Sequence, residues 1–237
     1  MIKSYLRTMD KIKIKDSVKI SNKNGINYLL DDNNKLIKNK PWLGDLFSFL
    51  YDWIMKKSVF PKKLNASIEE HYKILRKIFE DISDKTIIEF ATGSGDAINF
   101  LNNNNIYAGI DISSGLLRIA KKKFDQYWFT RFELYSADAC ETPFQDNTFD
   151  IAICNLSLNF FQSIDKFLSE LHRILKPNGI FYCSVPIPEK KKSKATIHGT
   201  LYKLDDLEKL FENKNFNFDP FPHENGALLY FKAKPNN

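Results

Sequence analysis

Three short apolar runs, each ending in an acidic residue, constrain the fold of this 237-residue chain more than any other feature. The first run contains Glu89 and leads into Gly93 and Gly95, the second ends in Asp111, and a third strand-like stretch ends in Asp138. Short apolar runs bounded by turn residues are typical of buried strands. Glycine lets a turn bring its backbone close to a ligand, and a carboxylate at the tip of the next strand can accept two ribose hydroxyls. The spacing therefore predicts a nucleoside site at the carboxyl ends of neighbouring strands.

Beyond residue 60 the sequence alternates segments of strand and helix character. We predict helices over residues 67–80, 95–103, 113–124, 163–175 and 203–213, and strands over residues 86–91, 106–111, 131–137, 149–154, 179–185, 216–221 and 227–233. Such alternation is typical of an α/β fold in which helices cover both faces of a mainly parallel sheet. Residues 220–226 contain Pro and Gly and predict a turn that makes the last two strands a hairpin.

Residues 1–60 are predicted to form an N-terminal extension to the main domain, residues 61–237. Strand-like pieces at residues 17–20 and 27–30 lie beside clusters of Asn and Asp, which favour turns. The second cluster, between Leu30 and Leu36, is predicted to be the turn that joins two edges of a small hairpin. Residues 43–55 place apolar and aromatic side chains at helical spacing. One interpretation is a helix that packs on the main domain. The other is a lid over the substrate, with Trp42, Phe47, Tyr51 and Trp53 in contact with it.

The overall composition excludes several classes of protein. The net charge is +6, from 35 basic and 29 acidic residues, which is too small to identify a nucleic-acid partner. The three cysteines lack Cys-x-x-Cys spacing and suit a reducing compartment. No apolar stretch reaches the roughly 18 residues of a transmembrane helix, and the N-terminus lacks a signal-peptide core. We therefore predict a cytoplasmic protein, and no metal, because no cluster has metal-ligand spacing.

The most specific pattern lies within residues 141–159, where Thr-Pro-Phe-Gln-Asp-Asn-Thr-Phe-Asp leads into a predicted strand. It is similar to the Leu-Pro-Phe-x-Asp-x-Ser-Phe-Asp segment of the class I methyltransferases that use S-adenosylmethionine, especially the UbiE-like, type 11 group. Residues 170–179 resemble the helix and turn before that family's fifth strand. The resemblance covers residues 86–185. It implies a Rossmann-like, seven-stranded, mostly parallel sheet of order 3-2-1-4-5-7-6, with the last strand antiparallel.

A dinucleotide-binding fold is the main competitor for the glycine turn. In the Gly-x-Gly-x-x-Gly pattern the third glycine allows close helix–strand packing, but Ile98 occupies that position here. Glu89 also precedes the first glycine by four residues, where a dinucleotide fold needs no charge. Both departures favour the methyltransferase.

The resemblance implies S-adenosyl-L-methionine as cofactor, S-adenosyl-L-homocysteine as product, and methyl transfer to a small-molecule acceptor by in-line displacement. Glu89 would lie near the methionine amino group, and the loop Ala91, Thr92, Gly93 and Gly95 would hold the carboxylate. Asp111, Ile112 and Ser113 would bind the ribose, although an equally good interpretation makes Ser113 only the N-cap of the following helix. Leu116 would cover one face of the adenine, and Asp138 and Ala139 would bind its edge. Asn155 and Leu156 would lie beside the sulfonium. The family's usual first glycine is Ala91 here, so we expect an ordinary backbone conformation there.

The chemistry of the acceptor is less constrained. If the acceptor must lose a proton, His198 is the predicted general base, ahead of His71 and His172, because it follows the fifth strand near the expected substrate entrance. An RNA methyltransferase is an alternative, supported by the lysine-rich residues 189–194. A non-catalytic cofactor-binding protein is a second alternative.

Overall fold

The computed structural model describes residues 12–37, 48–127, 129 and 131–236. Trp42 and Phe47, and the first part of the predicted aromatic helix, lie outside the described residues. The strands are β1 Lys19–Lys23, β2 Ile26–Leu30, β3 Thr86–Phe90, β4 Ile106–Asp111, β5 Phe132–Ser136, β6 Phe149–Asn155, β7 Leu175–Pro186, β8 Phe216–Pro220 and β9 Leu228–Pro235. The α-helices are α1 Tyr51–Ile54, α2 Ile68–Phe79, α3 Ser114–Gln126, α4 Ile164–Ile174 and α5 Leu204–Glu212.

The nine strands found in the described residues form one sheet of order β1-β2-β5-β4-β3-β6-β7-β9-β8. The central pairings from β2 to β7 are parallel, whereas β9 runs antiparallel to both of its neighbours and β1 antiparallel to β2. The prediction of a seven-stranded sheet is therefore wrong. The extension contributes β1 and β2, which pair with β5 and place two more strands at that edge. Within the larger sheet, the seven strands from β3 onward follow one another as 3-2-1-4-5-7-6.

The N-terminal hairpin turns at the first Asn-rich cluster of the extension. Asn24 and Gly25 both have positive φ, 53° and 78°, as a two-residue turn matched to strand twist requires. The second cluster forms another tight turn, in which the Asp31 carboxylate accepts backbone hydrogen bonds from Asn33 and Lys35. Two local turns thus shape the extension before it pairs with the main sheet.

Two hydrophobic clusters lie on opposite faces of the sheet, because side chains alternate along each strand. Ile88 and Phe90 of β3 pack with α4 and α5, whereas Ile87 packs with α2 and α3. Serine side chains at positions 67, 113 and 163 accept backbone hydrogen bonds and start α2, α3 and α4. The sequence periodicity predicted these helices because one stripe of each is buried.

Two predicted elements of the main domain differ from the structure. The predicted helix 95–103 is only a 3-10 turn, Asp96–Asn99, because asparagines at 99 and 102–105 are poor helix formers. β7 begins at Leu175 instead of residue 179, with an irregular register against β6. After α1, the chain continues in a π-helical segment, Met55–Leu64, which contains Pro61.

Candidate functional site

The loop after β3 lies where the strand order reverses, since β3 pairs with β4 on one side and β6 on the other. In open parallel sheets, ligands bind at this place. The backbone turns there through three residues with positive φ: Ala91 at 52°, Gly93 at 57° and Gly95 at 83°. The expectation of an ordinary conformation at Ala91 is therefore wrong. The turn demands the left-handed region even from alanine, at a cost of about 1 kcal/mol.

Backbone strain is concentrated at one cavity. Among the described residues, eight other than glycine have positive φ, and six of these are Asn or Asp, which tolerate it. The exceptions are Ala91 and Leu156, and both line the cavity above the loop. Strained conformations of unsuited residues persist where the surrounding structure holds them, and they often mark functional sites.

The cavity lies between the glycine loop and the N-terminal helices. Its volume is about 50 Å³, whereas sites for small molecules usually span roughly 300–1,000 Å³. The loop side is formed by Glu89, Ala91, Thr92, Gly93, Ser94, Asp96, Asn155, Leu156 and Ser157. The facing wall is formed by Tyr51, Met55, Phe60, Ile68, His71, Tyr72 and Phe100.

Tyr51 of α1 reduces the space above the loop. Its ring lies 3.9 Å from where a Cβ on Gly93 would stand. Burial raises the pKa of Tyr51, and the neighbouring carboxylates of Asp111 and Asp96 raise it further. The phenol therefore stays neutral, and it occupies the space directly over the acids of the loop.

α1 is fastened to the loop by charged groups. Asp52 accepts a hydrogen bond from Ser94 Oγ at 2.6 Å and forms an ion pair with Lys123 Nζ at 2.7 Å. Lys123 also contacts Asp96 at 2.9 Å, and Asp96 accepts a hydrogen bond from Tyr72 at 2.7 Å. The N-terminal extension thus closes one side of the cavity.

Glu89 is 4% exposed, and its hydrogen-bond partners carry no charge. Its Oε2 accepts hydrogen bonds from the hydroxyls of Tyr107 and Thr92, and its Oε1 accepts one from Asn155 Nδ2 at 3.5 Å. None of its partners in the described part of the chain is a cation. Burial raises the pKa of Glu89 to about 7, which the hydrogen bonds from Tyr107 and Thr92 partly counteract. Such a carboxylate is well suited to a cationic ligand.

Asp111 lies at the end of β4, next to the same loop. Its carboxylate accepts backbone hydrogen bonds from Gly93 at 2.9 Å and from Ser113 at 2.8 Å. Ser113 in turn caps α3 by accepting a hydrogen bond from Leu116. The structure therefore brings Glu89 and Asp111, the first two of the three predicted acids, together at the glycine loop.

Comparison with known proteins agrees with this geometry. The family model described as "Methyltransferase domain" matches residues 88–183, which include the loop, Glu89 and Asp111. A demethylmenaquinone methyltransferase from Chlorobaculum parvum is 24% identical over 169 residues, covering 68% of each chain. The ubiquinone/menaquinone biosynthesis C-methyltransferase UbiE of Rickettsia felis is 37% identical over 105 residues, covering 41% of this chain and 42% of its own.

The chain is an S-adenosylmethionine-dependent methyltransferase, and its matched core is similar to the UbiE-like group. Its methyl donor is S-adenosylmethionine. Among solved structures, a putative S-adenosylmethionine-dependent methyltransferase from Methanococcus maripaludis shares the fold with a TM-score of 0.62 at 17% identity, covering 86% of this chain and 98% of that chain. No helix in the described ranges of this methyltransferase combines the length and apolar character needed to cross a membrane.

The structure divides the predicted site residues of this methyltransferase into two sets. Seven line the cavity: Tyr51, Glu89, Ala91, Thr92, Gly93, Asn155 and Leu156. Those that do not line it are Gly95, Asp111, Ile112, Ser113, Leu116, Asp138, Ala139, Trp53 and His198. Gly95 packs closely on α3, where an added Cβ would stand 2.9 Å from Ala120. Asp138 is exposed and its carboxylate accepts a hydrogen bond from the Cys140 backbone.

His198 and Trp53 lie away from the cavity. His198 is exposed, and its carbonyl accepts a hydrogen bond from Asn159 at 2.7 Å. Trp53 is 61% exposed. The catalytic assignment of His198 and the substrate contact of Trp53 stay predictions.

Most of the facing wall of the methyltransferase cavity is absent from the residues that the sequence pattern predicts for the site. Met55, Phe60 and Phe100 line it, and so does His71, which had been ranked below His198. One signal was available: His71 interrupts the apolar face of α2, so its imidazole had to be buried. The sequence could not show which groups surround it.

Proposed function

We propose that this methyltransferase methylates a ring carbon of a small, largely apolar acceptor that carries a hydroxyl or keto oxygen, of the hydroquinone type. The observation that carries the proposal is a cavity that joins the acid-bearing glycine loop to an apolar wall. That wall includes Met55, Phe60, Ile68 and Phe100, with Leu156 opposite. The relatives named for menaquinone synthesis support the same class of acceptor.

The loop side would hold the cofactor. Glu89 is a buried carboxylate without a cation among the described residues, so the ammonium of the methionine moiety fits it. Asp111 would take the ribose hydroxyls, with Ile112 and Ser113 beside it, and the amides of the loop at Gly93 and Gly95 would take the carboxylate. We further propose Leu116, Asp138 and Ala139 for the adenine, and Asn155 and Leu156 for the sulfonium side.

Tyr51 lies over the glycine loop, where the cavity measures only about 50 Å³, so we propose that it moves aside when the methionine end of the cofactor and the acceptor bind. Of the predicted lid, residues 1–60, the hairpin of β1 and β2 is fixed in the sheet. We propose that the part around α1 acts as the lid on residues 61–237, with Tyr51 as its tip and Trp53 on the same helix. Asp52 would then release and re-form its contacts with Ser94 and Lys123. Closure would exclude water from the reacting groups.

The sulfonium supplies an activated methyl group, so the chain mainly aligns the acceptor and excludes water. In the proposed reaction a ring carbon forms the new C–C bond while the methyl–sulfur bond breaks and its electron pair goes to sulfur. The ring carbon then loses its proton to the medium or to a base. His198 serves as that base only if its exposed segment moves toward the cavity.

Two measurements test the proposal. S-adenosylhomocysteine should bind in a calorimeter, and 1,4-naphthohydroquinone kept reduced should accept a methyl group from S-adenosylmethionine, detected by mass spectrometry. The Glu89→Gln variant is the matched control, because it keeps the shape of the side chain and removes its charge. Binding of S-adenosylhomocysteine without turnover of any hydroquinone or phenol, together with methylation of RNA, would contradict the proposed acceptor.

A further inference from the structure

A buried imidazole lies in the apolar wall of the cavity. His71 of α2 is 3% exposed and its ring packs among those of Phe60, Tyr72 and Tyr230 at centroid distances of 5.4, 5.8 and 5.7 Å. Its Nδ1 lies 2.9 Å from the hydroxyl of Tyr230. Its Nε2 has no hydrogen-bond partner among the described residues, and the side chain lines the cavity.

The backbone of Ser67 fixes the orientation of the amide behind this pair. Ser67 N–H can only donate, and it lies 2.9 Å from one atom of the Asn225 amide, which must therefore be Oδ1. Asn225 Nδ2 then donates to Ser67 O at 2.9 Å and to the Tyr230 hydroxyl at 3.2 Å. The amide is held in place because Gly226, next in the chain, packs so closely on Leu64 and Asn65 that a Cβ would clash with their carbonyl oxygens.

The amide fixes the tautomer of His71. Because the Tyr230 oxygen accepts from Asn225, its own proton is free to go to the other partner, Nδ1 of His71. Burial raises the pKa of Tyr230, so the phenol keeps that proton. Nδ1 is then an acceptor, and the ring proton of a neutral imidazole must lie on Nε2. Burial also lowers the pKa of His71 to about 3, so the ring is neutral at physiological pH.

We infer that His71 donates a hydrogen bond from Nε2 to an oxygen of the methyl acceptor, and that Tyr230 and Asn225 are positioning residues that hold it in the donor tautomer. This inference rests on the proposed function for the identity of the acceptor. A neutral donor suits a hydroxyl, keto or phenolate oxygen without adding charge to an apolar pocket, much as neutral histidine polarises carbonyls in known enzymes. It also removes His71 from the candidate general bases, since neither nitrogen is bare and directed at the acceptor.

The tautomer can be tested without any ligand. In protein labelled with ¹⁵N at histidine, long-range ¹H–¹⁵N correlations distinguish a protonated ring nitrogen from a bare one. We expect Nε2 of His71 to be protonated and Nδ1 bare, with no titration between pH 5.5 and 8.5. Tyr230→Phe should change the correlation pattern of His71, whereas the matched control Tyr182→Phe should not. A proton on Nδ1 in the native protein, or titration within this range, would overturn the inference.

The role in binding the acceptor is tested with a pair of substitutions. His71→Gln can place an amide N–H near the former Nε2, whereas the shorter His71→Asn places it near the former Nδ1. With 1,4-naphthohydroquinone as probe, we expect His71→Asn to lower kcat/KM by about 10- to 100-fold, since a hydrogen bond to a buried polar group is lost. His71→Gln should recover most of it, and both should bind S-adenosylhomocysteine within about twofold of the native protein.

Equal activity of the two variants, or an equal loss of S-adenosylhomocysteine binding, would overturn the assignment of His71 to the acceptor. If the native protein binds S-adenosylhomocysteine but does not turn over the hydroquinone probe, the proposed acceptor is wrong. The tautomer measurement still decides the state of His71 in that case.

Discussion

Two buried glutamates in this molecule have opposite electrostatic surroundings. Glu170 of α4 is 9% exposed, and Arg173 holds both of its oxygens at 2.7 and 2.9 Å. Burial alone would raise the pKa of Glu170, but hydrogen bonds from Arg173 and Thr142 outweigh it and lower the pKa. Glu89 is buried more deeply, its partners are hydroxyls and an amide, and its pKa is raised to about 7.

The difference shows how to distinguish a buried carboxylate that stabilises the fold from one that binds a ligand. Glu170 has its cation within the chain, so the pair joins α4 to the loop before β6 through Thr142 and Asp146. Glu89 has its hydrogen-bond donors but no positive charge among the described residues, and the cavity is the direction from which a cation can come. A buried carboxylate that lacks an internal cation is therefore the stronger candidate for ligand binding.

The largest effect should follow from removing the internal cation. Arg173→Leu leaves Glu170 buried and uncompensated, and we expect the free energy of unfolding to fall by about 3–5 kcal/mol. Urea denaturation followed by circular dichroism measures it. The double variant Arg173→Leu/Glu170→Leu should recover much of the loss. A fall below about 1 kcal/mol in the single variant would show that the pair is not a structural one.

Removing the charge of Glu89 should weaken binding without lowering stability. We expect Glu89→Gln to weaken S-adenosylhomocysteine binding by about 10- to 100-fold, because a charge-assisted contact to the ammonium is lost. The matched control is Glu170→Gln, which should lower stability and leave the affinity unchanged. Calorimetry and urea denaturation on both variants complete the comparison. If both variants lose the same affinity for S-adenosylhomocysteine, Glu89 has no special role in binding compared with Glu170.

The raised pKa of Glu89 also predicts a pH dependence. Its folded pKa of about 7 exceeds the ordinary 4.5, so the stability it contributes is full below pH 4.5 and is lost as pH rises through about 7. The carboxylate that binds the ammonium forms over the same range. We expect S-adenosylhomocysteine affinity to rise roughly tenfold between pH 6 and pH 8, and Glu89→Gln to flatten this rise. An affinity that falls with pH would count against Glu89 as the acceptor of the ammonium.

The smallest effect concerns the support of Glu89. Ser184 Oγ donates to Asn155 Oδ1 at 2.9 Å, which directs Asn155 Nδ2 toward Glu89. Ser184→Ala should cost about 1 kcal/mol of stability and weaken S-adenosylhomocysteine binding by no more than about fivefold. The same two assays measure it. If Ser184→Ala weakened binding as much as Glu89→Gln does, the binding energy would come from the Asn155 amide instead of the Glu89 carboxylate.

The sequence predicted the loop side of the site better than the wall that faces it. Glu89, Gly93 and Asp111 lie at the ends of apolar runs, so a local pattern brings them to one edge of a parallel sheet. The wall depends on contacts between distant segments: His71 meets Tyr230 across 159 positions, which no local periodicity reports. The positive φ of Ala91 was missed for a related reason, because the surrounding fold overrides the residue's own preference.

The fold, too, was predictable where local sequence patterns determine it and unpredictable where distant segments pair. Alternating strands and helices of the main domain follow from their buried faces, and most of their bounds agree with the prediction within two residues. The sequence could not show that β1 and β2 belong to the same sheet, because β2 pairs with β5, which lies about a hundred residues away in the chain. A short hairpin carries no signal of the strand to which it attaches.

That hairpin has a consequence for the behaviour of the protein in solution. Without it, β5 would be an outer strand whose free backbone groups could pair with another molecule, a common start of aggregation. β1 takes that outer position, and Lys19 and Lys23, both exposed, place positive charge along it. Like charges on two approaching edges repel each other, so the same pairing between molecules is disfavoured. The solubility of the enzyme therefore depends on the β1–β2 hairpin, which lies several strands away from the glycine loop. Removing this hairpin would first lower the concentration at which the protein stays in solution.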